Sequence, residues 1–173
     1  SAGRQSKGGA IYMNSSTLNA TNCIFVGNKV GDSASEPHGG GAVYANNSSV
    51  AYFKNCLFYD NGNDAGTPGG GPNGGVFHLN GSSPYPTVTV ENCTIAFNIA
   101  DSSLYGGMAY IQCGRFIAIN SIMEQNEADT SIASVGDEVY ATGTASYVHF
   151  SFSNLTGTNG NYVVNGGGAT ITW

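Results

Sequence analysis

The sequence is poor in charged residues and in residues that build helices. Only 9% of its 173 residues are charged, and five Lys and Arg stand against 11 Asp and Glu, for a net charge of −6. No basic cluster is available to neutralise a phosphate backbone, which argues against a nucleic-acid partner. The 26 glycines and the Asn-, Ser- and Thr-rich remainder favour strands and turns over helices.

Long apolar runs are also missing. No window of about 18 apolar residues occurs, so we expect no membrane insertion in this segment. The first letters, SAGRQSKGG, contain no apolar stretch of the kind found in a signal peptide, so any signal peptide is expected outside this chain. Hydrophobic residues nevertheless make up 40% of the sequence, which is enough to form a core.

What the sequence does contain is a set of Asn-x-Ser/Thr sequons, the acceptor motif for N-linked glycans in secreted proteins. Their frequency predicts a secreted, glycosylated protein that is extracellular or on the cell surface. The sequons lie at Asn14, Asn19, Asn46, Asn47, Asn80, Asn92 and Asn154.

A repeat of 30 to 34 residues organises the chain. One block of each repeat starts with glycines: GGAIYMN (8–14), GGAVYAN (40–46), GGVFHLN (74–80), GGMAYIQ (106–112) and GDEVYAT (136–142). A second block follows each of these and always ends in asparagine: NCIFVGN (22–28), NCLFYDN (55–61), NCTIAFN (92–98), NSIMEQN (120–126) and SNLTGTN (153–159).

The repeat predicts an all-β parallel β-solenoid of about five coils, formed by residues 1–173 as a single segment. Helical repeats of similar length need amphipathic helices, and no 3.6-residue apolar period is visible. Each unit instead predicts a strand after the glycines, a polar turn, a second strand, and a turn at the asparagine block. The glycine pairs are expected at a tight turn into the first strand, where a β-carbon would strain the backbone.

Equivalent residues of successive coils stack about 4.8 Å apart, so each column must tolerate its own side chain above and below. We assign two apolar columns of the first strand to the interior. Four asparagines are also assigned to the interior, where their side-chain amides are expected to form a hydrogen-bonded ladder along the axis. Asn92, one of the four, is therefore expected to stay unmodified. The two columns are Ile11, Val43, Phe77, Ala109, Val139 and Met13, Ala45, Leu79, Ile111, Ala141; the ladder is Asn22, Asn55, Asn92, Asn120.

The blocks resemble the repeats of the polymorphic outer membrane protein family, which are marked by a GGAI-type tetrad and an FxxN tetrad. The matching letters are GGAI (8–11) with FVGN (25–28), and GGAV (40–43) with FYDN (58–61). The resemblance covers nearly the whole chain, although 136–139 and 156–159 depart from both tetrads. It implies a right-handed parallel β-helix of the pectin-lyase-like class, in an adhesin-like passenger that is secreted or displayed at the surface.

An aromatic row, one residue out of phase with the interior, is predicted to face outward. Stacked rings at this spacing suit sugar rings or a neighbouring subunit, and the alternative is a self-stacked row covered by its own loops. The row comprises Tyr12, Tyr44, His78, Tyr110 and Tyr140.

Three cysteines, Cys23, Cys56 and Cys93, share one column, whereas Cys113 stands elsewhere. Neighbours in a column are close enough for a disulfide, so a Cys23–Cys56 bridge is feasible. Stacked free thiols are the alternative, and the sequence does not choose the pairing.

No residue set predicts catalysis, a metal or a cofactor. Lys54 and Glu91 share a column and are expected to form an exposed ion pair, and Arg115 lies one coil further on. An acidic group (Glu124, Glu127, Asp129, Asp137, Glu138) matches no Ca²⁺ loop. The histidines His38, His78 and His149 occupy different columns, and the GxGxxG letters at Gly69, Gly71 and Gly74 precede a strand rather than a helix.

The sequence therefore predicts a structural or adhesive solenoid rather than an enzyme. Neither end resembles a cap, and the letters NGGGATITW (165–173) begin a sixth coil, so we expect an excerpt or repeating unit of a larger assembly. Its partners would be adjoining solenoid segments or copies of itself, stacked head to tail into a fibre. The alternatives are a polysaccharide lyase or glycosidase and a carbohydrate-binding module on the same fold.

Overall fold

A computed structural model describes residues 7–30, 39–62, 74–100, 106–128, 138–156 and 162–173. Within these ranges the chain is all-β, and every pair of named strands is parallel. Three large sheets run along one axis; each of the first five coils contributes one strand to each of them, and β18 and β19 add a sixth strand to two. The predicted parallel β-solenoid is confirmed.

The first sheet contains the strands that follow the glycines, in the order in which the chain makes them. They are β1 (Ile11–Asn14), β4 (Val43–Asn46), β7 (Phe77–Asn80), β11 (Ala109–Ile111), β15 (Val139–Thr142) and β18 (Val163–Gly167). The second sheet contains β2 (Thr17–Thr21), β5 (Val50–Lys54), β8 (Thr87–Glu91), β12 (Gly114–Ile119), β16 (Ser146–Ser151) and β19 (Thr170–Thr172).

A third sheet corrects the expectation that the chain merely turns at the asparagine block. It contains β3 (Ile24–Val26), β6 (Leu57–Tyr59), β9 (Thr94–Ala96), β13 (Ile122–Glu124) and β17 (Asn154–Thr156). Three-residue strands are too short for an alternating pattern to stand out in the sequence. Their central residues nevertheless form a core column of their own: Phe25, Phe58, Ile95, Met123 and Leu155.

The register confirms the predicted interior columns. Val43 pairs with Phe77, and Ala45 with Leu79, so each apolar side chain lies directly above its counterpart in the next coil. In the middle of the solenoid these side chains are completely buried. Each large one contributes about 1.5–3 kcal/mol by leaving water, which makes the columns the main source of stability.

The glycine pairs have the predicted role. Gly8 and Gly74 adopt φ values of 104° and 101°, in the left-handed region that favours glycine. At the second position, a β-carbon on Gly75 would collide with the carbonyl oxygen of Gly107 in the next coil. The glycines therefore allow both the turn and the close stacking of consecutive turns.

Two short strands, β10 (Ile99–Ala100) and β14 (Glu127–Ala128), continue the stacking at the start of the coil-to-coil connections. The remaining parts of these coil-to-coil connections, at 31–38, 63–73, 101–105 and 129–135, lie outside the described residues. None of the residues that the structure describes forms a helix that could cross a membrane.

The two ends of the solenoid differ. In the first coil Ile11, Leu18 and Phe25 are only partly buried, whereas their counterparts one coil further in are fully covered. At the other end Trp173 stacks on Phe150 with ring centroids 5.0 Å apart, although the indole itself is 75% exposed. A tryptophan thus covers part of the last core layer, and no described aromatic ring covers Phe25 in the same way.

Candidate functional site

The aromatic row is stacked as predicted, but most of it is not exposed. Tyr12, Tyr44, His78, Tyr110 and Tyr140 follow one another in register, with neighbouring ring centroids 4.9–5.9 Å apart. Tyr12 is 50% exposed, yet Tyr44 is only 7% exposed, and His78 and Tyr110 are buried as well. The prediction of an outward binding row is wrong for these three residues, and the covered, self-stacked alternative describes them.

Burial of this row has a chemical consequence at Tyr44. Loss of water around its phenol raises the pKa of Tyr44, and a hydrogen bond with the Asn80 side chain acts in the opposite direction. The hydroxyl therefore stays neutral at physiological pH and is engaged by the fold. A sugar would find a free ring face mainly at Tyr12, where the Lys7 ammonium lies 5.8 Å from the ring centroid.

Three of the sequons lie in one column. Asn14 pairs with Asn46, and Asn46 with Asn80, so three sequons lie directly above one another. Their accessibility differs, because Asn14 is exposed whereas Asn46 and Asn80 are partly covered. The Nδ2 of Asn47, the atom that a glycan would modify, donates to Oδ1 of Asn14 over 2.6 Å.

The remaining sequons lie on other surfaces. Asn19 is exposed on β2, and Asn154 is exposed at the start of β17. Asn92 is exposed too, which corrects its assignment to the interior. The reason is its backbone: with φ at 53°, Asn92 forms a left-handed corner whose side chain points out of the core.

The predicted ladder therefore exists at the surface. The Nδ2 of each asparagine donates to Oδ1 of the asparagine one coil earlier, from Asn55 to Asn22 over 3.1 Å and from Asn120 to Asn92 over 2.8 Å. All four asparagines have φ between 46° and 57°. We call this set, Asn22, Asn55, Asn92 and Asn120, the exposed ladder.

A second ladder is buried, and the sequence reasoning gave it no role. It consists of the invariant last residues of the asparagine blocks, and we call it the buried ladder: Asn28, Asn61, Asn98 and Asn126. From Asn61 onward, each Oδ1 accepts two hydrogen bonds from the coil before it. Oδ1 of Asn98 accepts from the backbone N–H and from Nδ2 of Asn61, each over 2.9 Å. The missed signal was the fixed final asparagine itself.

The buried ladder also satisfies backbone groups of the core. Nδ2 of Asn61 donates to the Phe25 carbonyl over 2.9 Å, and Nδ2 of Asn126 donates to the Ile95 carbonyl over the same distance. Buried polar groups are costly unless they are paired, so these amides make a buried chain corner tolerable. Asn126, the last described residue of the buried ladder, donates to the buried carboxylate of Glu138 over 2.6 Å.

The cysteine column consists of free thiols, so the feasible Cys23–Cys56 disulfide is not formed. Cys56 and Cys93 donate to the carbonyl two residues earlier over 3.3 Å, and Ser121 and Ser153 make the same contact further along the column. Burial raises the pKa of the Cys93 thiol to about 11. A neutral hydrogen-bonding group is therefore what this position requires.

The residues tested for catalysis do not converge. Lys54 and Glu91 form the expected ion pair at 2.8 Å, with both side chains partly exposed. Arg115 lies in register with Thr87, at the other end of the strand from Glu91, and its guanidinium packs on the Tyr147 ring at 4.8 Å. His149 contacts Thr172, away from His78. His38, Asp129, Asp137, Gly69 and Gly71 lie outside the described residues.

Within the ranges that the structure describes, no three His, Cys, Asp or Glu side chains gather closely enough to hold an ion. Of the acidic group, Glu138 is buried against Asn126, whereas Glu124 and Glu127 lie in β13 and β14 and are partly exposed. Gly74 is followed by β7, a strand, as the sequence predicted.

One shallow groove runs beside the exposed ladder, with a volume of about 480 Å³. Asn22 and Asn55 form one side, and the outward side chains of Ile24 and Leu57 form the other. Ile24 is 72% exposed, so the groove is an open apolar strip next to amides rather than an enclosed pocket. Cys23 and Cys56 also line it, and its lining contains no His, Asp, Glu or Lys side chain.

Comparison with protein-family models, curated proteins and solved structures gave no match. The resemblance to polymorphic outer membrane protein repeats therefore remains a hypothesis drawn from the GGAI and FxxN tetrads.

Proposed function

We propose that this chain is a structural β-solenoid of an extracellular or cell-surface protein, with a non-catalytic role and with glycans on its exposed sequons. The proposal rests on the observation that the repeated features continue along one axis from coil to coil. Core columns, both asparagine ladders and the glycine turns all run parallel to one axis, and β1, β2 and β3 present the outer edges of the three sheets. Open parallel edges are the natural place for further coils to join.

The same edges support an assembly that is longer than this segment. A coil added before the first would complete the burial of Ile11, Leu18 and Phe25, which are only partly covered now. The added coil would come from an adjoining solenoid segment or from a second copy stacked head to tail. In either case the repeat serves as a rod or fibre.

The proposed glycan sites can be ranked by how exposed their asparagine side chains are. Asn14, Asn19 and Asn154 are exposed, so they should be modified first. Asn47 should be modified less, because its Nδ2 is held by Asn14. A glycan on Asn92 would break the exposed ladder at Asn55, because the Asn92 Nδ2 is the donor there.

Electron microscopy and intact-mass analysis of protein from its natural source test this proposal. We expect rods with a coil spacing of about 4.8 Å along the axis and added mass in hexose-containing increments. Discrete short particles without added mass would contradict both the assembly and the glycan claims. Cleavage of an acidic polysaccharide by the purified chain would instead establish the enzyme alternative.

A further inference from the structure

The sequon asparagine Asn19 lies in the middle of β2, on the outer face of the second sheet. Along this strand Leu18 and Ala20 face the core, whereas Asn19 is exposed between two exposed threonines. Within the described part of the chain no hydrogen bond holds the Asn19 side chain, in contrast to Asn47, whose Nδ2 is bonded to Asn14. A glycan on Asn19 would therefore begin on an open sheet surface without breaking a contact of the fold.

Tyr52 is the next residue in the same column. The register pairs Asn19 of β2 with Tyr52 of β5, and Tyr52 with Thr89 of β8. Residues in register lie about 4.8 Å apart and point to the same side of the sheet. Tyr52 is only partly buried. Neither of its two neighbours is aromatic, so this column does not stack rings on Tyr52 as the first sheet does on Tyr44.

The lengths of the two side chains place a sugar beside the Tyr52 ring. An N-linked glycan begins with an N-acetylglucosamine attached to the asparagine Nδ2. Because the asparagine side chain is shorter than the tyrosine side chain, a sugar on Asn19 starts at the height of the neighbouring ring and extends alongside it. The C–H groups of a pyranose form an apolar face, which the negative face of an aromatic ring attracts. Val50, which is 46% exposed on the same face of β5, adds to this apolar surface.

The sequon at Asn154 provides a comparison without an aromatic ring. Asn154 is exposed at the start of β17, and its neighbour in register is Ile122, which is 44% exposed. A glycan on Asn154 would cover this aliphatic side chain by the same geometry. An aliphatic side chain contributes buried area but lacks the directional attraction of a ring. The sugar contact is therefore expected to be weaker at Asn154 than at Asn19.

We infer that the first N-acetylglucosamine of a glycan on Asn19 packs on the Tyr52 ring and makes the glycan a structural part of the solenoid. This inference rests on the proposed function, which puts glycans on the exposed sequons, and it deepens that proposal by assigning one glycan its contact. The sugar is attached to the first coil and contacts the second. It therefore holds two consecutive coils together from outside, in addition to the pairing of β2 with β5.

A double-mutant cycle on the glycosylated chain tests this contact. The chain is secreted from a eukaryotic host with and without Asn19→Gln, each in the original background and with Tyr52→Thr. Threonine is suited to this position because Thr89 already occupies the column. Tyr52→Phe is the matched control that keeps the ring. An endoglycosidase trims every sample to a single N-acetylglucosamine on each occupied site, and the thermal unfolding midpoints are compared.

We expect the Asn19 sugar to raise the midpoint by about 2–4 °C in the original and Tyr52→Phe backgrounds, and by less than about 1 °C with Tyr52→Thr. Loss of the Asn154 sugar, by Asn154→Gln, should lower the midpoint less than loss of the Asn19 sugar does. Equal gains from the Asn19 sugar with and without the ring would overturn the contact and leave a glycosylated structural solenoid intact.

NMR of the trimmed protein provides a readout that does not depend on stability. We expect nuclear Overhauser contacts between the Tyr52 ring protons and the sugar on Asn19, and upfield shifts of those sugar protons. Their absence would overturn the inference. Peptide mapping of protein from its natural source separates the two proposals: an unmodified Asn19 beside other modified sequons would overturn only the inference, whereas the absence of glycan from every sequon would overturn the proposed glycosylation as well.

Discussion

Two ladders of asparagine run through the first four coils of this solenoid, and they use the same side chain for different reasons. In the buried ladder each amide is fully engaged: Oδ1 of Asn98 accepts two hydrogen bonds, and its Nδ2 donates to Asn126 over 2.7 Å. In the exposed ladder each link is a single hydrogen bond at the surface, such as that from Asn92 to Asn55 at 3.3 Å. The buried position needs the amide, whereas the exposed position needs the backbone conformation.

The fifth coil supports this distinction. At the exposed position Phe152 replaces asparagine and keeps the same left-handed φ, 52°. The corner thus tolerates loss of the amide provided that the backbone holds its shape, although a bulky residue there is strained. At the buried position, the last described amide of the ladder is also paired, because Asn126 donates to the buried carboxylate of Glu138.

The largest effect is expected for Asn98→Ala. The substitution removes the acceptor for the backbone N–H of Asn61 and for one of its two Nδ2 hydrogens, so two buried N–H hydrogens lose their partner while Nδ2 keeps its bond to the Phe25 carbonyl. At about 1–3 kcal/mol for each, the free energy of unfolding should fall by about 3–5 kcal/mol. Urea denaturation followed by far-UV circular dichroism measures the loss. A decrease below about 1 kcal/mol would mean that the buried ladder is not needed.

Paired substitutions at Asn92 test the exposed ladder. Asn92→Ala puts an alanine at a φ of 53° and should cost about 1–2 kcal/mol, mostly as backbone strain. Asn92→Gly loses the same amide but accepts that φ, so its cost should stay below about 0.5 kcal/mol. The difference between the two unfolding free energies is the measurement. Equal losses would show that the amide, rather than the corner, holds the exposed ladder.

Phe152→Asn would complete the exposed ladder. Phe152 is 91% exposed at a left-handed corner, so little packing is lost on substitution. Asparagine enters this region more easily than phenylalanine, and its Nδ2 would reach Oδ1 of Asn120. We expect a gain of about 0.5–1 kcal/mol in thermal or urea unfolding. Phe152→Ala is the control and should gain nothing, and a gain of the same size in both variants would refute the conformational explanation.

The smallest effect at neutral pH is expected for Cys93→Ser. Ser121 already occupies this column with the same hydrogen bonds, so stability at pH 7 should change by less than about 1 kcal/mol. The pKa of the Cys93 thiol is raised to about 11 in the folded chain, above its unfolded value. The neutral thiol therefore favours folding below the unfolded pKa, and that contribution is lost as pH rises to about 11. The serine variant should lose less stability over this pH window than the original chain, and identical pH profiles would disprove the assignment.

Most of the architecture could be predicted from the repeat. The parallel coils, the two apolar columns of the first sheet and the glycine turns follow from blocks that recur every 30 to 34 residues. Register in a solenoid is unusually predictable, because a shift would put polar residues into every column at once. The Lys54–Glu91 pair was found in the same way, from shared column positions.

The sequence did not show whether each column of side chains is buried or exposed. The exposed ladder was assigned to the interior because its asparagines precede apolar residues, and only the positive φ of Asn22 and Asn92 shows that the corner turns outward. The burial of Tyr44, His78 and Tyr110 did not follow from the column pattern, which gives the direction of a side chain but not how much of it is covered. The third sheet was missed because Ile24–Val26 and its equivalents are too short to show a period.

Hydrogen exchange of the asparagine side-chain amides in the native chain tests the two-ladder account most directly. Nitrogen-15 NMR at neutral pH resolves the Nδ2 protons of Asn61 and Asn98 from those of Asn55 and Asn92. The account predicts that the buried amides exchange only when the coils open, orders of magnitude more slowly than the exposed ones. Comparable rates in the two ladders would contradict it, because the buried asparagines would then not be locked between the coils.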